Sequence, residues 1–390
     1  MIENVINKFN ELFGKDGQIL KFFAPGRINL IGEHIDYNGG FVLPCALTIG
    51  TYGVVRKRDD KKIRCYSLNF QDKGIIEVDI TNLNYNEQDN WVNYVKSVIW
   101  AFNQKGYKIE FGFDFVCFGT IPNGSGLSSS ASLEILISKI LIDLNNFNMD
   151  MIEVALISQF AENKFIGVNC GIMDQFAIAM AKKDNAIFLN TNNLEYKYAP
   201  INLENMKIVI SNTNKKRELA DSKYNERREE CEKSLIEIKK IKNNIETLAD
   251  LTPDEFEKIK DIIKNEIWQK RVKHVVYEND RTKKAYKFLQ ENNIKKFGEL
   301  LNLSHKSLKE DYEVTGKELD TLVEISYQQD GVLGSRMTGA GFGGCTVSIV
   351  REDCVQNFIK NVGKSYREKI GYDADFYVAE IGNTPKQIEL

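Results

Sequence analysis

One glycine- and serine-rich segment limits most strongly which fold this chain can adopt. It joins a strand-like pattern to a helix-like pattern. Residues 111–118 alternate as a strand does, and residues 121–131 read Ile-Pro-Asn-Gly-Ser-Gly-Leu-Ser-Ser-Ser-Ala. The apolar helical face that follows consists of Leu133, Leu136, Ile137, Ile140 and Leu141. A helix that begins after a glycine turn gathers unpaired backbone N–H groups and the positive end of its dipole at one point. The segment therefore predicts an anion cradle.

This cradle does not match the Walker P-loop pattern, because G-x-x-x-x-G-K-[ST] needs a lysine that the segment lacks. An ordinary glycine turn with a serine cap is the alternative interpretation of the same residues. Both interpretations predict that a helix begins near Ser128.

The length of the chain predicts two domains. Its 390 residues exceed the usual size of one compact domain. Residues 1–200 mix strand-like and helix-like patterns, whereas a strand-like segment at 207–211 is followed by a long Lys/Glu/Asn-rich helical tract, and strand-like patterns return at 345–350 and 375–379. We therefore predict an α/β (α+β) protein with domains at 1–200 and 201–390.

Two short segments mark the starts of helices in the second half. Thr252-Pro253-Asp254-Glu255 and Thr315-Gly316-Lys317-Glu318 both fit the capping box, in which a threonine and a glutamate three residues later satisfy each other's backbone N–H groups. We expect a helix after each threonine.

The charge balance disfavours large polyanionic partners. Lys and Arg number 52 against 55 acidic residues, so a small-molecule partner is expected rather than nucleic acid or a membrane surface. Seven cysteines without a C-x-x-C pair and three histidines predict neither a zinc ribbon nor a disulfide framework, and reduced thiols favour the cytoplasm. The chain start lacks a signal-peptide pattern, and charges interrupt the most apolar stretch, so no membrane span is predicted.

A dense polar cluster occupies residues 24–40, where four glycines accompany closely spaced hydrogen-bonding side chains. The cluster contains Arg27, Glu33, His34, Asp36 and Tyr37. Such density suits a polyhydroxylated ligand, because each hydroxyl both donates and accepts. A polar hairpin with a salt bridge is the alternative.

Two further glycine segments carry candidate chemistry. Residues 339–344 contain G-x-G-x-x-G, but a helical pattern precedes them and a strand pattern follows, which is the reverse of a dinucleotide-binding turn. Asp174 follows the glycine turn at residues 167–171 among apolar residues. A buried aspartate is costly unless it is paired or functional, and a helix cap is the alternative.

In this order along the chain, these segments resemble the GHMP family of small-molecule kinases, and within it most closely the members that phosphorylate galactose. Residues 26–40 resemble the sugar signature, 122–131 the ATP-binding motif and 339–344 the C-terminal glycine motif. Residues 171–175 and 271–276 also resemble segments of these kinases. The resemblance implies a ribosomal-S5-like N-terminal domain and a ferredoxin-like C-terminal domain.

The resemblance also implies an activity and residue roles. The activity is ATP-dependent phosphorylation of galactose at its C1 hydroxyl, the first committed step of galactose catabolism (the Leloir pathway), with Mg²⁺ as cofactor. Asp174 matches the catalytic base, Arg27 the cation beside it, and Ser130 and Glu162 the Mg²⁺ positions. The implied sugar-binding positions are Arg27, Glu33, His34, Asp36, Gly171, Asp174 and Tyr224. The implied nucleotide-binding positions are Trp91, Gly124, Gly126, Ser128, Ser129 and Ser130. We expect a cytoplasmic monomer.

One departure leaves an alternative substrate open. Ile35 stands where many of these kinases have threonine, and related N-acetylgalactosamine kinases also carry isoleucine there. A non-enzymatic sugar sensor is a further alternative. Because Ser130, Ala131, Asp174 and Arg27 are all present, catalysis is the favoured interpretation.

Overall fold

Three β-sheets and the helices packed on them form this computed structural model, which describes residues 1–122, 126–215 and 220–389. The strands are β1 (Leu20–Asn29), β2 (Phe41–Val42), β3 (Pro44–Lys57), β4 (Lys62–Ser67), β5 (Ile76–Asp79), β6 (Phe113–Gly119), β7 (Asn185–Asn190), β8 (Tyr196–Pro200), β9 (Met206–Asn212), β10 (Val332–Thr338), β11 (Cys345–Arg351), β12 (Asp375–Ala379) and β13 (Lys386–Gln387).

The helices alternate with strands in the first half and are longest in the second half. They are α1 (Ile2–Phe13), α2 (Val92–Gln104), α3 (Ser129–Asn145), α4 (Met151–Ala161), α5 (Met173–Ala179), α6 (Ala220–Lys239), α7 (Pro253–Ile259), α8 (Glu266–Gln290), α9 (Ile294–Ser307), α10 (Gly316–Ser326) and α11 (Val355–Ile370). No helix in the described ranges is both long and apolar enough to cross a bilayer.

The six-stranded sheet has the order β13-β1-β3-β6-β4-β5. Its pairs are antiparallel except for the parallel pair β4 and β6. The last strand of the chain therefore pairs with the first, with Phe22 opposite Gln387. The domain boundary near residue 200 stays a prediction.

The four-stranded sheet has the order β10-β11-β9-β12, and all its pairs are antiparallel. Along the chain, helices separate β9 from β10 and β11 from β12. This β-α-β-β-α-β arrangement is the ferredoxin-like motif, as predicted for the second half.

Helix α3 lies at the centre of the packing. The predicted apolar face, including Leu136 and Ile140, packs with residues of α2 and the six-stranded sheet. Ala131 and Ile135 of the same helix belong to a second core, which contains residues of α5 and α8. Because α3 is buried on both faces, its N-terminal residues are held firmly relative to the sheets.

The two predicted capping boxes have different outcomes. Thr252 and Glu255 form the box, with proline at the first helical position. Thr315 makes no side-chain cap bond to α10; its hydroxyl is a hydrogen-bond partner of Asp320, and the Glu318 carboxylate pairs with Lys215 at 2.8 Å. The second capping box was therefore wrong, although the helix begins where expected.

The context expected for the C-terminal glycine motif was also partly wrong. Strand β10, rather than a helix, ends at Thr338 directly before the motif, and β11 begins at Cys345 directly after it. Since no helix follows the glycines, the exclusion of a dinucleotide-binding turn stands.

Candidate active site

A cavity of about 350 Å³ brings together segments that are distant in sequence. Its walls come from the loop after β1, the turn between α4 and α5, helix α6 and the C-terminal glycine motif. All the predicted sugar-binding positions line it, together with Glu162: Arg27, Glu33, His34, Asp36, Gly171, Asp174 and Tyr224.

Asp174 is held by donors from two different elements. Arg27 of β1 donates from Nε to Oδ1 at 2.8 Å and from Nη2 to Oδ2 at 2.7 Å. Ser128 donates its hydroxyl hydrogen to Oδ2. Arg27 also donates from Nη1 to the carbonyl of Gly126 at 2.8 Å. The bidentate pair fixes the plane of the carboxylate, and Asp174 does not cap α5, which contains it.

Asp36 lies against Gly171 so closely that a side chain on Gly171 would collide with it. A Cβ at Gly171 would lie 1.9 Å from Oδ2 of Asp36. The pKa of Asp36 is raised to about 7, because burial and the neighbouring charges of Asp174 and Glu33 disfavour its ionised form.

Glu33 is held from behind by a buried arginine. Arg336 of β10 donates from Nη2 to Oε2 of Glu33 at 2.6 Å, and from Nη1 to the carbonyls of Asn29 and Leu30. Arg336 has no exposed surface. The strand before the glycine motif therefore fixes both the side chain and the backbone of the predicted sugar signature.

His34 is fixed at both ring nitrogens. Nε2 lies 3.1 Å from the carbonyl oxygen of Ala340, and Nδ1 lies 2.9 Å from the hydroxyl of Tyr37. Because a carbonyl only accepts, Nε2 carries the hydrogen and Nδ1 accepts from Tyr37, which in turn accepts from Tyr312 at 2.8 Å. Burial lowers the pKa of His34 to about 3, so the ring is neutral. A sugar hydroxyl at His34 would share these bonds or replace one.

Helix α8 carries the polar side chains that anchor the loop after β1. His274 bonds the carbonyl of Glu33 through Nε2 at 3.0 Å, and Glu278 accepts from the backbone N–H of Gly32 at 3.0 Å. Both side chains are fully buried. The predicted segment at 271–276 thus contacts the backbone of the sugar signature rather than the cavity.

Tyr224 reaches the cavity from α6. Its ring lies 5.5 Å from that of His34 and 5.3 Å from that of Tyr37, measured between centroids. Burial raises the pKa of its hydroxyl well above the usual value, so it stays protonated and able to donate.

The two predicted metal positions lie next to each other, with Glu162 lining this cavity and Ser130 lining a second one. Glu162 begins a π-helical turn, Glu162–Ile166, directly after α4, and its carboxylate is a hydrogen-bond partner of Ser130. The pKa of Glu162 is raised to about 7, mainly by burial and then by the charge of Asp174. Insertions of this kind in a helix recur at functional sites.

A second cavity of about 180 Å³ lies on the other side of the start of α3. Ser129, Ser130 and Trp91 line it, and Nε1 of Trp91 has no hydrogen-bond partner among the described residues. Gly126 approaches the C-terminal glycine motif, since a Cβ on Gly339 would lie 2.9 Å from its carbonyl oxygen. Gly124 lies outside the described residues.

Comparison with known proteins shows the family to which this chain belongs. The galactokinase galactose-binding signature matches residues 7–57, the GHMP kinases N terminal domain matches 93–182 and the GHMP kinases C terminal domain matches 285–368. A galactokinase of Fusobacterium nucleatum is 58% identical over 98% of both chains, and one of Bacillus subtilis is 51% identical over 100% of both. The chain belongs to the galactokinase family.

A solved structure of this family has the same fold. The crystal structure of Lactococcus lactis galactokinase complexed with galactose matches with a TM-score of 0.97 at 49% identity, covering 99% of this chain and all of the other. A mevalonate kinase matches with a TM-score of 0.65 at 21% identity, which indicates the shared fold alone. The predicted GHMP family and fold class are confirmed, and the protein is a kinase that transfers phosphate to an alcohol.

The departure from many galactokinases at Ile35 lies outside the cavity. Ile35 is fully buried in the core that contains α5 and α8, and a Cβ on Gly40 would lie 2.8 Å from its Cδ1. Ile35 therefore affects the cavity only through packing, and the choice between galactose and an amino sugar stays a prediction.

Sequence reasoning assigned no role to several residues at this galactokinase-family site. Cys170, Gly339 and Ala340 line the larger cavity. Glu134 and Gln175 are buried beside Glu162. Gly339, Ala340, Cys170 and Gln175 belonged to segments already singled out, although no role was assigned to them, whereas nothing in the local sequence marked Glu134.

Proposed function

We propose that the protein transfers the terminal phosphate of ATP to the C1 hydroxyl of galactose, giving galactose 1-phosphate. The observation that supports this most directly is Asp174, held by Arg27 and Ser128 in the wall of a polar cavity. Family membership supports both the sugar and the phosphate donor. The reaction is the first committed step of galactose catabolism.

The cavity offers a sugar several donors and acceptors of fixed orientation. Asp36 and Glu33 present carboxylate oxygens, and Tyr224 presents a hydroxyl. Because Glu33 is held by Arg336, its position does not depend on the ligand. A site that pairs hydroxyl groups loses binding energy for each one that is misplaced, so an epimer such as glucose is expected to be a poor substrate.

Asp174 is the proposed base for the acceptor hydroxyl. The C1 hydroxyl is more acidic than other sugar hydroxyls, because the ring oxygen withdraws electron density, so a carboxylate can assist its deprotonation during transfer. Arg27 lies beside the carboxylate and also bonds Gly126 at the start of the predicted nucleotide loop. It thereby ties the position of the base to that of the loop and adds positive charge where phosphoryl transfer concentrates negative charge.

Ser130 and Glu162 are the proposed Mg²⁺ positions. A hydroxyl and a carboxylate are hard oxygen ligands of the kind Mg²⁺ takes. The buried Glu162 carboxylate, whose ionised form is disfavoured, also suits a cation that would offset its charge. When bound, Mg²⁺ supplies charge neutralisation for the phosphate oxygens. Ser129 and Trp91 are proposed to contact the nucleotide from the second cavity.

A coupled ADP-release assay with galactose, N-acetylgalactosamine, galacturonate, arabinose and glucose tests the proposal. We expect turnover with galactose to exceed that with the other sugars, a phosphorus NMR signal of a sugar 1-phosphate, and binding of 1-deoxygalactose without reaction. A preference for another sugar, or phosphate on another hydroxyl, contradicts it. The predicted cytoplasmic location and monomeric state belong to the same proposal, and light scattering on the purified protein tests the second.

A further inference from the structure

Gln175 connects two buried carboxylates beside the proposed metal position. Its Nε2 lies 2.6 Å from Oε2 of Glu162 and 3.1 Å from Oε2 of Glu134. Gln175 on α5 and Glu134 on α3 have no exposed surface, and Glu162 is 7% exposed. An amide nitrogen carries two hydrogens and can serve both acceptors, whereas the amide oxygen can serve neither carboxylate. This fixes the orientation of the amide.

The same oxygen of Glu162 receives a second donor. The thiol of Cys170 lies 3.4 Å from Oε2 and 3.1 Å from Oδ1 of Asn163, so its one hydrogen is shared between these two oxygens and Oε1 of Glu162 is not a partner of Gln175 or Cys170. Ser130 is a hydrogen-bond partner of the same carboxylate. The carboxylate of Glu162 therefore bonds Ser130, and its Oε2 atom also contacts Gln175 on α5 and Cys170 in the turn before α5.

This arrangement of buried polar side chains lowers the stability of the folded protein, so packing alone does not explain it. Among the described residues, Oε1 of Glu134 and Oε1 of Gln175 are buried without hydrogen-bond partners. Buried polar atoms left in this way destabilise a fold, and such exceptions call for a physical reason. Holding a ligand carboxylate in one orientation is such a reason, because the groups behind a metal ligand set its position.

We propose that Gln175, braced by Glu134, is a positioning residue that holds Glu162 in the orientation required for Mg²⁺ binding. This inference rests on the proposed function, in which Glu162 is a Mg²⁺ position. Glu134 reaches the site through Gln175, since the amide that donates to Glu162 also donates to Glu134.

Binding of Mn²⁺ to the full-length protein with ADP, measured by electron paramagnetic resonance, tests this role without turnover. Gln175→Met removes the donor at similar length and is expected to raise the Mn²⁺ Kd roughly 10- to 100-fold, the range typical of residues behind a metal ligand. Its galactose Kd, measured by calorimetry, should stay within about twofold, because that site contacts Asp174 and not Gln175.

The chain offers a matched control and a conservative variant. Gln269 on α8 donates to the backbone carbonyl of Ile263 at 2.8 Å rather than to a carboxylate, so Gln269→Met should leave the Mn²⁺ Kd unchanged. Glu134→Met removes the brace and should raise the Mn²⁺ Kd. Glu134→Gln keeps an acceptor oxygen and should restore a value within about threefold of the unchanged protein.

Glu162→Gln distinguishes the proposed metal site at Glu162 from the positioning role of Gln175. If it weakens Mn²⁺ binding while Gln175→Met does not, the positioning role is overturned and the proposed metal site stands. If Glu162→Gln has no effect on Mn²⁺ binding, the metal site and the positioning role both fail. If Gln175→Met does not fold, as judged by circular dichroism, the pair Glu134→Met and Glu134→Gln decides, and equal Mn²⁺ affinities in these two overturn the inference.

Discussion

Ser128 donates its hydroxyl hydrogen to Oδ2 of Asp174, 46 positions later in the chain. The same oxygen accepts from Nη2 of Arg27. The residue at the start of α3 therefore orients the proposed base instead of capping its own helix, and it makes no side-chain cap bond. The start of α3, which follows the predicted nucleotide loop, and the acid proposed to face the sugar are thus joined by one hydrogen bond.

Asp174→Asn should lower turnover by roughly 10²- to 10⁴-fold, the range typical for loss of a general base. The asparagine side chain also replaces one acceptor oxygen with an NH₂ group, which cannot accept from Arg27 or Ser128. Some of the hydrogen bonds that the carboxylate accepts are therefore lost. The ADP-release assay measures the loss, and circular dichroism checks the fold. Asp143→Asn, which changes an aspartate paired with Lys139 on α3, is the control and should keep near-normal turnover. Near-normal turnover in Asp174→Asn would mean that Asp174 is not the base.

Ser130→Ala should raise the Mg²⁺ and ATP concentrations needed for half-maximal rate and leave galactose affinity nearly unchanged. The matched control is Ser138→Ala on the same helix, where the hydroxyl bonds the carbonyl of Glu134 and lies 3.1 Å from Ser158. That control should lose about 0.5–1.5 kcal/mol of stability without a change in Mg²⁺ dependence. An unchanged Mg²⁺ dependence in Ser130→Ala would refute its proposed metal role.

Gly171→Ala should raise the KM for galactose roughly 10- to 100-fold, because the new methyl group displaces the carboxylate of Asp36 from the cavity. The KM for ATP should stay within about twofold, since Asp36 and Gly171 do not line the second cavity. Initial rates with each substrate varied in turn provide both values. Equal rises in the two constants would contradict a role confined to the sugar.

Asp36 should make the protein less stable as pH rises towards 7. Its folded-state pKa of about 7 lies above the ordinary value of 3.8, so between these values the folded state holds a proton that the unfolded state has released. The contribution of Asp36 to the free energy of unfolding therefore falls from about pH 4 to about pH 7 and then levels off. Thermal melts of the unchanged protein and of Asp36→Asn across this range isolate the effect. A stability difference between them that does not vary with pH would contradict the raised pKa.

Local signals predicted the elements well and failed where distant residues intervene. Thr252 forms its capping box although Glu255 also pairs with Lys242, because one carboxylate oxygen accepts from Lys242 and the other accepts from the backbone N–H of Thr252. Thr315 does not, because its backbone is in the α region rather than the extended conformation of a cap residue and its hydroxyl bonds Asp320. The strand before Gly339 was mistaken for a helix, because its pairing with β11 is a tertiary contact that the residues 332–338 do not reveal.

In the site, too, the features that local sequence marks were predicted and those that depend on distant contacts were not. The motifs predicted which residues would gather around Asp174, and the structure places them in one cavity; their individual roles stay predictions. The brace formed by Gln175 and Glu134 could not be predicted, because it arises only when α3 and α5 pack together and bury an amide between two acids. Arg336 was missed for a similar reason, since its partner Glu33 lies 303 positions earlier.

Because β1 pairs with β13, the edge of β1 stays unpaired during most of the synthesis of the chain. About 360 residues separate Phe23 from its partner Lys386, which corresponds to roughly 20–70 s at about 5–20 residues per second on the ribosome. During that interval the outer edge of β1 presents unpaired N–H and C=O groups to any neighbouring nascent chain. Residues 386–387 therefore pair with β1 only long after that strand has been made, and until then the outer edge of β1 is open to pairing with another strand.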